Sequence, residues 1–239
     1  MICFLFAMEK EAAPLLEDCQ ISEATKIGFA KFYACEKDEK KFLVGITGIG
    51  KVFASSAVSA LRLKYPTVDG LLNIGVGGSL DAEAAPLLQL IVGDKYVQHD
   101  LDTSAIGDPV GMVSGINKVY FEADKDLVAL VKKASKAAKV KPCVGTIASG
   151  DRFIASKEDR EAIKKQFKAI SCDMESSAMA QIAYVYQLPF CAARVVSDTG
   201  KDPNEYAENC GEAAKRLKAI LDKLIELLSV IPLQRGGFL

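Results

Sequence analysis

Short apolar runs of strand length alternate with longer amphipathic segments along almost the whole chain, and glycine-containing turns separate many of them. Runs rich in β-branched and aliphatic residues predict strands at 2–7, 28–35, 42–47, 70–75, 89–97, 143–148, 169–172 and 190–196. Segments with apolar residues every three to four positions predict helices at 9–19, 51–64, 125–139, 157–167, 176–186 and 205–228. In the last of these, Cys210, Ala213, Ala214, Leu217, Ile220, Leu221, Leu224 and Leu228 fall on one stripe, so this helix should cover a core. Ser156 with Asp159 three residues on is a variant capping box ahead of 157–167. Strands and helices interleaved in this way build an α/β sheet with helices on both faces.

No Ser/Pro-rich linker, internal repeat or low-complexity segment divides the 239 residues, and a single domain spanning 1–239 is expected. Residues 100–120 have weak periodicity and carry Gly107, Pro109, Gly111 and Gly115, which reads as a long surface loop. Its Ile106, Val110, Met112 and Val113 are available for contact with a partner.

Charge and rare residues narrow the function. Thirty Lys and Arg balance thirty-one Asp and Glu, so the chain has no positive field for a nucleic-acid backbone. With one His and no Trp, His-rich zinc sites and most His-assisted nucleophile systems are disfavoured. Proton chemistry, if present, then falls to carboxylates. Seven cysteines without a C-x-x-C pair read as reduced thiols in a cytoplasmic protein. The apolar run 2–8 meets Glu9, Lys10 and Glu11 at once, and no later stretch approaches the roughly 20 apolar residues of a membrane span.

Three motifs fall short of a function. Gly45 to Lys51 has the G-x-x-x-x-G-K spacing of a phosphate-binding loop, but Val52 stands where a hydroxyl should hold magnesium. Gly75, Gly77 and Gly78 lack the third glycine of a dinucleotide fingerprint, since position 80 is Leu80. His99 with Asp100 and Asp102 is too small a donor set for a metal, and no metal or cofactor is assigned.

Three acids carry more information. Glu11 follows the first strand where a helix begins, Glu175 enters another helix from a strand, and Asp198 ends a hydrophobic strand. In an open α/β sheet such positions can meet at one edge. Each also has a structural alternative: Glu11 and Glu175 suit a helix dipole, and Asp198 suits a turn.

The segments A-M-E-K-E at 7–11, S-G-D-R-F-I at 149–154, D-M-E-S-S-A at 173–178 and R-V-V-S-D at 194–198 resemble those of the 5′-methylthioadenosine/S-adenosylhomocysteine nucleosidases of the nucleoside phosphorylase superfamily. G-I-G-K-V at 48–52 and Q-H-D-L-D at 98–102 also fit. The resemblance implies a three-layer sandwich with a mixed central sheet flanked by helices, a homodimer, and cleavage of an N-glycosidic bond without a cofactor. It implies that Glu11 activates water, Asp198 protonates the departing adenine, and Glu175 with Met174 binds the ribose hydroxyls. It further implies that Phe153 stacks on the base and the Ile154 backbone reads its edge. Met8, Ile49 and Met174 would form the alkylthio cleft, with Arg194 and Ser197 supporting the site. Two positions depart from the family pattern: Phe6 replaces a glycine, and Val76 replaces a serine whose hydroxyl would lie near the water and ribose.

Three other functions compete. A phosphorylase on the same fold would have to bring phosphate to the carboxylate of Glu11, which repels it. A hydrolase for another purine nucleoside such as futalosine shares the motifs. A non-catalytic nucleoside-binding protein would need neither proton-transfer acid.

Overall fold

The computed structural model of the chain describes residues 1–202 and 204–228. The rest of the expected domain lies outside the described residues. Strand β1 (Ile2–Phe6) is buried along its whole length. Ile2, Phe4 and Phe6 enter one core cluster while Cys3 and Leu5 enter another, as a central strand covered on both faces requires. Phe6, one of the two departures from the family pattern, is therefore a core side chain.

β1 runs parallel to β4 (Lys40–Ile46) on one side and to β5 (Gly70–Ser79) on the other. Beyond β4, the antiparallel strands β3 (Ala30–Lys37) and β2 (Gln20–Ile27) complete that edge. β5 also pairs in parallel with β10 (Phe190–Asp198) and antiparallel with β9 (Ala169–Asp173). β10 is antiparallel to β6 (Leu90–Gln98), which runs parallel to β8 (Pro142–Ser149), itself parallel to β9. These pairings close β5, β10, β6, β8 and β9 into a ring, so the mixed sheet curls on itself at one end. The short β7 (Phe121–Glu122) adds to β6.

Helices cover the sheet according to their apolar stripes. α1 (Glu9–Leu16), α3 (Lys125–Ala137) and α6 (Glu205–Leu227) pack on the Phe4 face, with Leu15, Val131, Leu217 and Leu224 among the buried contacts. α2 (Lys51–Lys64) and α5 (Ser176–Val185) cover the opposite face through Val58, Leu61, Met179 and Ala183. α4 (Lys157–Phe167) sits over a third cluster, which contains Ile163 and Phe167. As the capping pattern predicts, Ser156 Oγ accepts from the Asp159 amide at 3.1 Å.

The differences from the sequence expectation are local. β2 is an additional strand: its side chains are largely exposed, and backbone pairing with β3 alone defines it. The helix expected at 9–19 ends at Leu16. β5 continues through Gly75, Gly77 and Gly78 instead of turning, because β10 pairs with it along this stretch, and β9 comes close at Gly77 and Gly78. A Cβ on Gly77 would lie 3.0 Å from the Cys172 carbonyl. Within 100–120, Val113 is buried and Leu101 and Ile116 pack on the core, so Val113 is not available to a partner. Ile106 remains 82% exposed. All seven cysteines are free, and among the described residues no helix is long and apolar enough to cross a membrane.

Candidate active site

The junctions β1–α1 and β9–α5, the glycines of β5 and the end of β10 surround a cavity of about 460 Å³, closed by residues 152–154 and the first turn of α6. That volume suits a small molecule. Met8, Glu11, Ile49, Phe153, Ile154, Met174, Glu175, Ser197 and Asp198 all line it. The three acids expected to converge do share one cavity. Arg194 is not part of the wall.

Glu11 occupies the first turn of α1, as its dipole alternative required, but its carboxylate is not solvated there. Oε2 accepts from the Met8 amide at 3.1 Å, and Oε1 accepts from the Val76 amide of β5 at 3.2 Å. Burial pushes its carboxyl above the ordinary value, while Arg194 and the two amides pull the other way. A carboxylate raised in this manner is a better proton acceptor. Val76 thus contributes its backbone where a serine hydroxyl was expected.

Asp198 follows an irregularity in the β5–β10 register, between Val196 and Asp198. Ser197 Oγ donates to its Oδ2 at 2.8 Å, the orientation expected of Ser197. Arg160, from α4, donates through Nη2 to Oδ1 and forms a buried ion pair. Arg160 lies outside the motif segments that carry the resemblance. Its signal was present: with Ile163 and Phe167 it occupies i, i+3 and i+7 on the buried face of α4, where a charge requires a partner.

Glu175 is buried beside the start of α2. Its Oε1 accepts from the Gly50 amide at 2.9 Å, and the neighbouring Lys51 amide donates to Asp151 Oδ1 at 2.7 Å. The helix N-terminus that resembled a phosphate loop therefore presents its amides to carboxylates of the chain itself. Gly48 and Gly50 make this possible, with φ of 93° and 94°. Desolvation, reinforced by the adjacent Asp173, pushes the Glu175 carboxyl up to about 7, against the pull of Arg194 and the Gly50 amide.

Arg194 works beneath the cavity. Its Nε donates to Asp173 Oδ2 at 2.9 Å, and its Nη atoms reach Ser176 Oγ at 2.9 Å, the Asn73 side chain, and the Asn73 carbonyl at 3.1 Å. Ser149 and Ser176 hydroxyls also donate to Asp173. This network ties β5, β8, β9, α5 and β10 together below Glu175. Asp173, read only as part of a motif, is its centre.

Phe153 is 58% exposed at the cavity rim, edge-on to Tyr206 of α6 with ring centroids 5.7 Å apart. Tyr206 is a further wall residue, outside the motif segments, and Lys10 Nζ lies 5.4 Å from its ring centroid. His99 lies outside the cavity wall, and burial lowers its proton affinity.

The chain is a member of the phosphorylase superfamily, whose family model matches residues 1–226, and its curled mixed sheet gathers the carboxylates at strand ends. A 5′-methylthioadenosine/S-adenosylhomocysteine nucleosidase of Staphylococcus haemolyticus is 32% identical over 232 residues, covering 95% of this chain and all of the relative. The chain belongs to this nucleosidase family. Among solved structures, the Helicobacter pylori enzyme of the same name, bound to butyl-thio-DADMe-Immucillin-A, superposes with a TM-score of 0.89 at 30% identity, covering 95% of this chain and 98% of that one. A futalosine hydrolase of Helicobacter pylori superposes with a TM-score of 0.88 at 29% identity, covering 95% and 97%.

Proposed function

We propose that this chain hydrolyses the N-glycosidic bond of 5′-methylthioadenosine, S-adenosylhomocysteine or both, releasing adenine and the thioribose. The observation that carries the reading is the unlike support of two acids in one cavity. Glu11 is held by backbone amides, whereas Asp198 is held by a hydroxyl and a guanidinium.

In this mechanism Asp198 takes up a proton with the substrate, its Oδ1 still accepting from Arg160, and passes it to the five-membered ring of adenine as the bonding electrons of the N-glycosidic bond leave with the base. Positive charge then develops on the ribosyl ring. Glu11 takes a proton from water as its oxygen bonds to the anomeric carbon, the division of labour seen between two carboxyls in glycoside hydrolysis. Glu175 and Met174 hold the ribose, with the ionised Glu175 accepting from its hydroxyls. Phe153 stacks on adenine and the Ile154 backbone meets its edge, while Met8, Ile49 and Met174 surround the alkylthio group. Arg194 supports Glu175 from below through Asp173. No step calls for a metal or organic cofactor.

Phosphate as nucleophile is disfavoured because it would face Glu11, while the arginines of the wall are committed: Arg160 to Asp198 and Arg152 to Asp159. Adenine release from methylthioadenosine, adenosylhomocysteine, adenosine and inosine, with and without phosphate, tests the reaction. Release from the two thio-nucleosides is expected without phosphate; strict phosphate dependence would sink the hydrolase reading. The likeness to the futalosine hydrolase makes futalosine the alternative substrate, to be run in the same assay.

We further propose that residues 1–239 act as one domain and that the protein is a cytoplasmic homodimer in methionine salvage. Seven free thiols suit a reducing compartment. Val52, 77% exposed, Phe53 and Ile106 are apolar side chains left open to a second copy. Light scattering should give about twice 25.7 kDa; a monomer would reject the dimer.

A further inference from the structure

We infer that Arg160 is a positioning residue for the proton transfer, stabilising the negative charge that forms on Asp198 as its proton passes to the departing base. This rests on the reading of Asp198 as the acid. Arg160 is 5% exposed, and its Nη1 donates to the Ser79 carbonyl at 2.6 Å while Nη2 meets Asp198 Oδ1. Asp198 is its only ion-pair partner among the described residues. The surroundings leave room for this guanidinium and little else. A Cβ on Gly200 would lie 2.5 Å from Arg160 Nε, and one on Gly78 would lie 3.1 Å from its Nη1.

Burying a guanidinium costs several kcal/mol of desolvation, and an apolar side chain at position 160 would extend the Ile163 and Phe167 face without it. A buried charge aimed at the reacting acid has a chemical use. When the O–H bond of Asp198 breaks and an N–H bond forms on the base, the electron pair stays on the carboxylate, next to Nη2. An interaction that strengthens as charge develops lowers the barrier to that step. Cys172 from β9 and Tyr206 from α6 also bear on Asp198, but burial pushes each up to about 12, so both remain neutral through the working range. Glu11 from α1 shares the cavity and carries the opposite sign. Arg160 is the cation in contact.

The test is kcat and KM for wild type, Arg160→Gln and Arg160→Lys with methylthioadenosine, with thermal melts to establish folding. Arg160→Gln is expected to lower kcat about tenfold, the effect of losing one charged hydrogen bond to the ionised acid, with KM changed only a few-fold. Arg160→Lys keeps the charge and should retain most of the rate. A folded Gln variant with wild-type kcat, or one whose loss falls on KM instead of kcat, would assign Arg160 to structure alone and overturn the inference. If the Gln variant does not fold, the Lys variant decides: a folded Lys protein with kcat more than about tenfold down also overturns it. Normal turnover by Asp198→Asn would defeat the underlying reading instead. An inactive Asp198→Asn beside an unchanged Gln kcat would defeat only the role of Arg160.

Discussion

Asp198→Asn is expected to fold and to lose about 10²–10⁴-fold in kcat, the usual contribution of a general acid. The substitution is close to isosteric. The Asn carbonyl can still accept from Arg160, and its amide can donate to Ser197 Oγ, so the two groups that hold Asp198 keep partners. Replacing a charged acceptor by a neutral one beside a buried guanidinium should cost about 1.5–3 kcal/mol and lower the melting temperature without unfolding the protein. What the amide cannot do is give a proton to the base. Substrate binding should fall much less than turnover, because the stacking and ribose contacts proposed above involve other residues. Adenine release measured at saturating methylthioadenosine checks the expectation, and turnover at the wild-type rate would reject Asp198 as the acid.

Glu11→Gln should be nearly as severe, with kcat reduced about 10²–10⁴-fold and KM changed only a few-fold. Glutamine has one oxygen to offer two backbone donors, the Met8 and Val76 amides, so one of them loses its acceptor and meets an NH₂ group. A loss of about 1–3 kcal/mol in stability accompanies the loss of the base. The pH dependence carries further information. A base works ionised, so activity falls as pH drops through its titration, and burial places that fall above the ordinary carboxylate range for Glu11. Glu175, pushed up to about 7, is expected to contribute to the same acidic limb, since the ribose contact proposed for it needs the ionised form. In Glu11→Gln the residual limb should follow Glu175 alone. An unchanged kcat would remove Glu11 from the mechanism.

The parts of this site that were legible in sequence are those set by local chain geometry. A strand that runs directly into a helix puts Glu11 and Glu175 at strand ends, and the strand pattern of 190–196 puts Asp198 just beyond one. What the sequence did not reveal depends on which strands become neighbours. The ring closure joins β5 to β10 and β9, and only that closure brings Asp198 beside Arg160, which lies 38 positions earlier on another element. β2 escaped notice because its exposed side chains carry little hydrophobic signal. Arg194 stood within a recognised segment, yet its long side chain turns under the sheet to Asp173 and Asn73 instead of facing the cavity. Motif membership does not report direction: Arg194 and Asp198 lie four residues apart on β10, and the register shift between Val196 and Asp198 breaks the alternation that would have put them on one face.

The start of α2 also bears on the choice of nucleophile. Its Gly50 and Lys51 amides are engaged by Glu175 and Asp151, two carboxylates delivered by the fold itself. A free anion seeking those donors would compete with tethered ligands, whose effective concentration the chain fixes whatever the solution contains. At Glu11 the tethered partners are single amides, one on each oxygen, and each oxygen keeps a further lone pair for water. Insensitivity to the cell's phosphate level would then owe as much to chain connectivity at α2 as to the charge of Glu11.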